Sequence, residues 1–282
     1  MTDMAHNKSA QKLATLDPIW ARTREQAAAQ AEREPMLASF LHATVLNHDK
    51  LEGALSYHLS HKIGGNDLTP MSVRQLIDEA FADAPSIGEA VRADMAAVYD
   101  RDPACTSYVQ VLLYFKGFHA LQTYRVAHWL WQKGREGMAL YFQSLSSEKF
   151  AVDIHPAATI GRGIMIDHAT GVVIGETAVV EDDVSILHGV TLGGTGKEDE
   201  DRHPKVRRGV LIGAGAKVLG NIEVGESARI AAGSVVLKAV PARCTVAGVP
   251  ARTVSCEECD LPARTMNQLI DSDGMEFLGD GI

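Results

Sequence analysis

Up to about residue 150, apolar residues recur at the three-to-four spacing of buried helix faces, with Gly and Pro punctuating the runs. Ser72-Val73-Arg74-Gln75 reads as a capping box that opens a helix through Phe81, and Asp83-Ala84-Pro85 stops it. A second helix is predicted from about Gly117 to Gly134, carrying Leu121, Val126, Trp129 and Leu130. Core packing explains that spacing, so no cofactor box is assigned here. At Val152 the pattern changes. Aliphatic residues stand at Ile154, Ile160 and Ile166, at Ile174, Val180, Ile186 and Leu192, and at Ile212, Val218, Val224, Ile230 and Val236. Within each run the period is six, with small residues such as Ala158, Ala178, Ala216 and Ala228 four places on. That period is neither helical nor a plain strand alternation. It fits a triangular solenoid, in which three short strands and three turns close a coil of about 18 residues.

The chain therefore divides into an α-helical domain over 1–150, a parallel β-solenoid over 151–252 and a flexible C-terminal tail over 253–282, whose last part, Asp271 to Ile282, is acidic and poor in core residues. Two breaks interrupt the period. Ile166 to Ile174 is eight, placing two inserted residues around Gly171 to Val173. Leu192 to Ile212 is twenty, leaving about fourteen residues to bulge out, with Gly193-Gly194-Thr195-Gly196 and the polar run Lys197 to Lys205 among them. A long loop on a regular solenoid is either functional or a tolerated insertion, and function is the commoner case.

Of the 282 residues 46% are hydrophobic, enough for a full core, and the net charge of -9 comes without any dominating Lys/Arg block. That argues against nucleic acid and anionic membranes as partners. No apolar run reaches the roughly 18 residues of a membrane span. The start, Met1 to Lys12, lacks a secretory apolar core, so a cytoplasmic location is the default expectation. Cys105, Cys244, Cys256 and Cys259 are too few and scattered for a disulfide scaffold and are expected as reduced thiols. Cys256-Glu257-Glu258-Cys259 has the spacing of half a zinc site, but neither His nor Cys follows it, and no metal is assigned.

Asp153 and His168 lie fifteen apart, three short of a coil, which returns them to neighbouring layers near one edge. A carboxylate that fixes an imidazole makes a general base for a hydroxyl; a surface Asp and a backbone-satisfied His fit the same spacing. His188 is twenty after His168, one coil plus the two inserted residues, so the two rings should stack. With His203 they offer three nitrogens for zinc, although three His alone do not fix a tetrahedral site; a polar lining role is the plainer reading of His188. Arg202 beside Asp201 and His203 suits a substrate carboxylate, or is a solvated charge cluster. Asp167 either receives an ammonium group or shapes its turn.

Taken together, Glu34-Pro-Met-Leu-Ala-Ser-Phe40, Lys116-Gly-Phe-His-Ala-Leu-Gln122, Val152-Asp-Ile-His-Pro-Ala-Ala158, Gly161-Arg-Gly-Ile-Met165, Asp167-His-Ala-Thr-Gly171 and Thr191-Leu-Gly-Gly-Thr-Gly196 resemble the serine O-acetyltransferases, a family of the hexapeptide-repeat acyltransferases. Asp201-Arg-His-Pro-Lys205, Ala247-Gly-Val-Pro-Ala-Arg252 and Gly279-Asp-Gly-Ile282 complete a match that spans nearly the whole chain. The resemblance implies a left-handed β-helix, His168 as base with Asp153 as its partner, and serine held by Asp102, Asp167, Arg202 and His203. It implies acetyl-CoA as co-substrate, with no permanent cofactor, in a groove between solenoids of neighbouring subunits against Gly194, Thr195, Ala214 and Ala232. It further implies a hexamer built as a dimer of trimers, inhibition by L-cysteine in the serine site, and docking of O-acetylserine sulfhydrylase on the C-terminal Ile282. Neither His188 nor the Cys256/Cys259 pair belongs to the family pattern.

Overall fold

The structure, a computed structural model, describes residues 17–196, 199–256 and 261–268. Helices α1 (Pro18–Arg33), α2 (Pro35–Leu41), α3 (Leu51–Ile63), α4 (Pro70–Asp83), α5 (Pro85–Arg101), α6 (Tyr108–Tyr114), α7 (Lys116–Gln132) and α8 (Glu136–Phe150) fill the first zone, with a π-helical turn at His42–Leu46. Proline opens α1, α2, α4 and α5, where its missing N–H costs nothing and its fixed φ suits the first turn. This is why α4 starts earlier than the Ser72 capping box predicts. Thr69 is the cap, its Oγ1 accepting from Ser72 N at 3.2 Å, and Gln75 pairs with Glu79 instead. Helix α7 matches its predicted span to within two residues, and Leu121, Val126, Trp129 and Leu130 are all buried.

Between α3 and α7, the His58 and His119 rings meet at a tilt of 60° with centroids 5.2 Å apart, each with Nε2 on a backbone carbonyl, Leu113 O at 3.1 Å and Leu112 O at 2.8 Å. Burial pushes His58 down to about 4 and His119 well below the usual histidine range. Unfolded histidine takes a proton near 6.5, so the unfolded chain binds more protons between that value and about 4, and stability falls as pH drops through this window. Each ring contributes up to about 1.4 kcal/mol per pH unit there. The urea midpoint should therefore fall between pH 7 and pH 5, and fall less in His58→Gln; equal falls in the two proteins would refute the assignment.

After α8 a left-handed residue, Ala151 (φ 56°), turns the chain into the solenoid. Its first wall is β1 (Val152–Ile154), β4 (Val172–Ile174), β7 (Thr191–Gly193), β10 (Lys217–Leu219) and β13 (Val235–Val236). The second wall is β2 (Thr159–Ile160), β5 (Val179–Val180), β8 (Lys205–Val206) and β11 (Glu223–Val224). The third is β3 (Met165–Ile166), β6 (Ser185–Ile186), β9 (Leu211–Ile212), β12 (Arg229–Ile230) and β14 (Thr245–Gly248), closed by the antiparallel β15 (Ala251–Ser255). The fold is thus a helical domain followed by a left-handed parallel β-helix. Ile154, Ile174, Leu192, Val218 and Val236 stack inward at 3% exposure or less, as the six-residue period requires.

Strand register locates both insertions. Val152 pairs with Val172 and Met165 with Ser185, a step of twenty, whereas Val173 pairs with Thr191, a step of eighteen. The two extra residues therefore lie between β3 and β4, and they are His168 and Ala169, both left-handed (φ 54° and 57°), rather than residues around Gly171 to Val173. Gly171 belongs to the regular turn and stacks on Gly189, Gly215 and Gly233, all at positive φ, where a Cβ would be strained. The long loop is shorter than fourteen residues. Val206 resumes the inward stack, pairing with Val180 twenty-six residues earlier, so the insertion is 26 − 18 = 8 residues.

Helix α7 caps the open end of the first coil. Tyr124 Oη donates to Ala158 O (2.5 Å), Arg125 Nη2 to Gly161 O (2.8 Å) and His128 Nδ1 bonds Pro156 O (2.7 Å), satisfying backbone that a further coil would otherwise pair. At the other end, the stretch expected as a flexible tail begins with order. β15 pairs with β14, and helix α9 (Pro262–Thr265) tucks Ala263 against the third wall, where Ser185 Oγ donates to Ala263 O at 2.8 Å. The hairpin brings Cys256 beside Cys244, and the two form a disulfide where reduced thiols are expected from sequence. Cys105 is free and buried, and Cys259 lies outside the described residues.

Candidate active site

The corner between the third and first walls carries the histidines. With the inserted pair left-handed, His168 is thrown out of the hexad lattice and its side chain is 76% exposed. Its Nε2 stands 3.8 Å from Asp167 Oδ2, and its ring meets His188 in the next layer, as the spacing predicts, but edge-on rather than stacked, with centroids 5.9 Å apart and planes at 77°. Thr170 Oγ1 bonds His168 O and receives Lys116 Nζ from the start of α7. Next to it, Gly117 lies so close to the wall that a Cβ would fall 2.0 Å from Ile166 O. Asp102 ends α5, its Oδ1 accepting from Ala104 N at 2.8 Å. Its neighbour Arg101 is buried and fastened to Ser185 Oγ (3.1 Å) and Asp183 Oδ1 (3.2 Å). This anchoring brings Asp102 within electrostatic reach of Asp167. Burial pushes the Asp167 carboxyl up; His168 opposes that rise and Asp102 adds to it. An acid thus stands beside the exposed imidazole with a second acid acting on it, an environment for a small ammonium group.

Arg202 and His203 stand at another corner, between the first and second walls. Arg202 Nη2 is paired with Glu176 Oε2 at 2.6 Å, and this bond holds the Glu176 carboxyl below the usual range. Thr177 Oγ1 accepts from the backbone N–H of Arg202 (3.0 Å) and of His203 (3.1 Å). Thr177 N donates to His203 Nδ1 at 3.2 Å, so the neutral ring carries its proton on Nε2. Burial, then the Arg202 charge, lowers His203. The Nε2–Cδ2 side of the ring lies against Gly175, where a Cβ would sit 2.0 Å from Nε2. A three-residue strand separates the corners by roughly 10 Å. One chain therefore does not bring Arg202 and His203 onto Asp102 and Asp167, and His203 does not join His168 and His188 as a third ligand.

Asp153 is likewise not hydrogen-bonded to His168. It stands at the half-exposed middle position of β1, and its Oδ1 accepts from Gln143 Nε2 at 2.6 Å. Ala214 and Ala232 share the column of His188, since Gly215 N bonds His188 O (2.8 Å) and Gly233 N bonds Ala214 O (2.7 Å). Gly194 and Thr195 open the loop at the Arg202 corner; a Cβ on Gly194 would lie 3.3 Å from Arg202 Cγ. Ile282 lies outside the described residues. Glu176, Thr177 and Gln143 carry no motif of their own and emerge only from the fold.

Residues 19–123 match the sequence family described as serine acetyltransferase, N-terminal, and residues 203–238 match the bacterial transferase hexapeptide family of six repeats. The chain is 55% identical over 268 residues to the serine acetyltransferase of Salmonella typhimurium, covering 95% of this chain and 98% of that one. Among solved structures, a serine acetyltransferase in complex with cysteine superposes with a TM-score of 0.89 at 56% identity, covering 90% of this chain and 98% of that one. The Brucella abortus enzyme in complex with coenzyme A gives 0.86 at 54% identity, covering 88% and 99%.

Proposed function

Because the chain belongs to the serine acetyltransferase family, we propose that it moves the acetyl group of acetyl-CoA to the hydroxyl of L-serine, giving O-acetyl-L-serine and CoA, with His168 as general base. The observation that carries this reading is the exposed imidazole at the solenoid corner beside Asp167, on whose carboxyl the Asp102 charge acts. His168 takes the proton from the serine hydroxyl, the oxygen attacks the thioester carbonyl, the carbon–sulfur bond breaks, and His168 returns the proton to the departing sulfur. Asp153 steadies the charged ring through its second oxygen, Oδ2, which has no partner among the described residues.

Serine is a zwitterion, and its poles need opposite partners. Asp102 and Asp167 take the ammonium group. Arg202, with His203 beside it, takes the carboxylate. A molecule as small as serine does not bridge two corners of one prism, so the reading requires the Arg202 corner of a second copy against the His168 corner of the first. Acetyl-CoA then lies in the same groove, along Ala214 and Ala232 from one copy and Gly194 and Thr195 from the other. A trimer of solenoids, doubled into a hexamer through the helical domains, makes this pairing three times on each trimer. L-cysteine, with a thiol where serine has its hydroxyl, fits the same groove as a feedback inhibitor, and the cysteine complex of the related enzyme supports that extension. O-acetylserine sulfhydrylase, the enzyme that consumes the product, is the partner proposed for Ile282.

Thiol release from acetyl-CoA tests the whole. CoA should appear with L-serine and a metal chelator present, and only at background without serine or with homoserine in its place. Absence of serine-dependent release, or equal release with homoserine or a sugar, would reject the assignment.

A further inference from the structure

The hydrogen bond that Asp153 does make is itself informative. Gln143 sits on the last half of α8, and Ser146, three residues on, is on the same face. Both reach the first strand of the solenoid, Ser146 Oγ donating to Val152 O at 3.1 Å and Gln143 Nε2 to Asp153 Oδ1 at 2.6 Å. A carboxylate only accepts, so the amide nitrogen of Gln143 is the group that faces it. The bond to Oδ1 restrains the carboxylate and leaves Oδ2 without a partner among the described residues. Asp153 stands in the outward position of its strand, between the buried Val152 and Ile154, and has no other side-chain hydrogen bond among the described residues. Without the amide, its carboxylate would rotate freely at a half-exposed site.

We propose that Gln143 is a positioning residue for acetyl transfer, holding Asp153 in the rotamer that orients the base His168, so that the helical domain sets the geometry of a dyad carried by the solenoid. The inference rests on the Asp153–His168 partnership proposed above. Outer-shell groups that orient histidines at metal sites contribute about ten- to a hundredfold, and an effect at the lower end of that range is expected for Gln143.

Four proteins test it: Gln143→Ala, Gln143→Glu, Asp153→Ala and the double variant Gln143→Ala/Asp153→Ala, each compared with wild type for kcat, serine KM and melting temperature. Gln143→Ala should lose about tenfold in kcat, with serine KM and melting temperature close to wild type, because the amide touches neither substrate nor core. Gln143→Glu has the same size but sets acceptor against acceptor, and should lose at least as much. In the double variant the loss should equal that of Asp153→Ala alone, the signature of residues acting as one unit. Wild-type kcat in Gln143→Ala or Gln143→Glu, with Asp153→Ala impaired, overturns the role of Gln143 and leaves the dyad standing. Multiplying losses in the double variant also overturn it, since Gln143 would then act other than through Asp153. Wild-type kcat in Asp153→Ala is the distinct result that removes the dyad and the inference together.

Discussion

His168→Ala is expected to lower kcat by about 10²- to 10⁴-fold, the usual contribution of a positioned general base, while serine KM changes by only a few fold. The asymmetry follows from the geometry. The acids that would hold the ammonium group, Asp102 and Asp167, are placed by α5 and β3 and do not lean on the imidazole, which is 76% exposed. Position 168 is also a left-handed residue (φ 54°), a conformation that histidine adopts more readily than alanine, so alanine there adds backbone strain that has nothing to do with proton transfer. His168→Asn separates the two effects, because asparagine tolerates this conformation better and still cannot act as a base near neutral pH. Both variants should lose kcat alike, and circular dichroism should show both folded. Turnover within a few fold of wild type in either variant would remove His168 from the mechanism.

The second large effect concerns stability. Asp94 on α5 is fully buried and accepts four hydrogen bonds, from Ile164 N (3.0 Å), Gln122 Nε2 (3.0 Å), and Arg125 Nε (3.0 Å) and Nη2 (2.7 Å). Arg125 is 8% exposed. Asp94→Ala leaves a guanidinium, an amide and a backbone N–H in the interior without their acceptor, and should cost about 3–5 kcal/mol. For a chain of this length that is a fall of roughly 10 °C in melting temperature. The complementary experiment is Asp94→Leu/Arg125→Met, which removes both charges and should recover much of the loss, since a buried ion pair is stabilising chiefly against the half-broken state. An Asp94→Ala protein that melts with wild type would show that the network holds nothing. Because Ile164 lies three residues before Asp167, surviving Asp94→Ala enzyme should also turn over more slowly.

The solenoid was legible in sequence because an inward wall position accepts only an aliphatic side chain, so every coil repeats the same constraint. Val206 escaped for a local reason: Lys205, Arg207 and Arg208 surround it, and among them a single valine does not read as a core position. The site was legible only in part. His168 over His188 followed from counting residues around the coil. Arg202 did not, since it lies inside the insertion, where counting by eighteens has no meaning. The eight-residue gap from Ile166 to Ile174 shows that two residues are inserted but not which, and the backbone puts them at His168 and Ala169, left-handed without a glycine. The Gln143 bond to Asp153 joins two domains, and no periodicity inside either domain records it.

Successive coils of this prism advance by 20, 18 or 26, and finally 16 residues, yet their walls stay in register throughout. Length added or removed at a vertex is invisible to the interior. The vertices are therefore exchangeable fittings on a fixed chassis. Transplanting the eight-residue excursion, or the two-residue one that lifts the imidazole, between solenoids of this kind should leave the prism beneath folded.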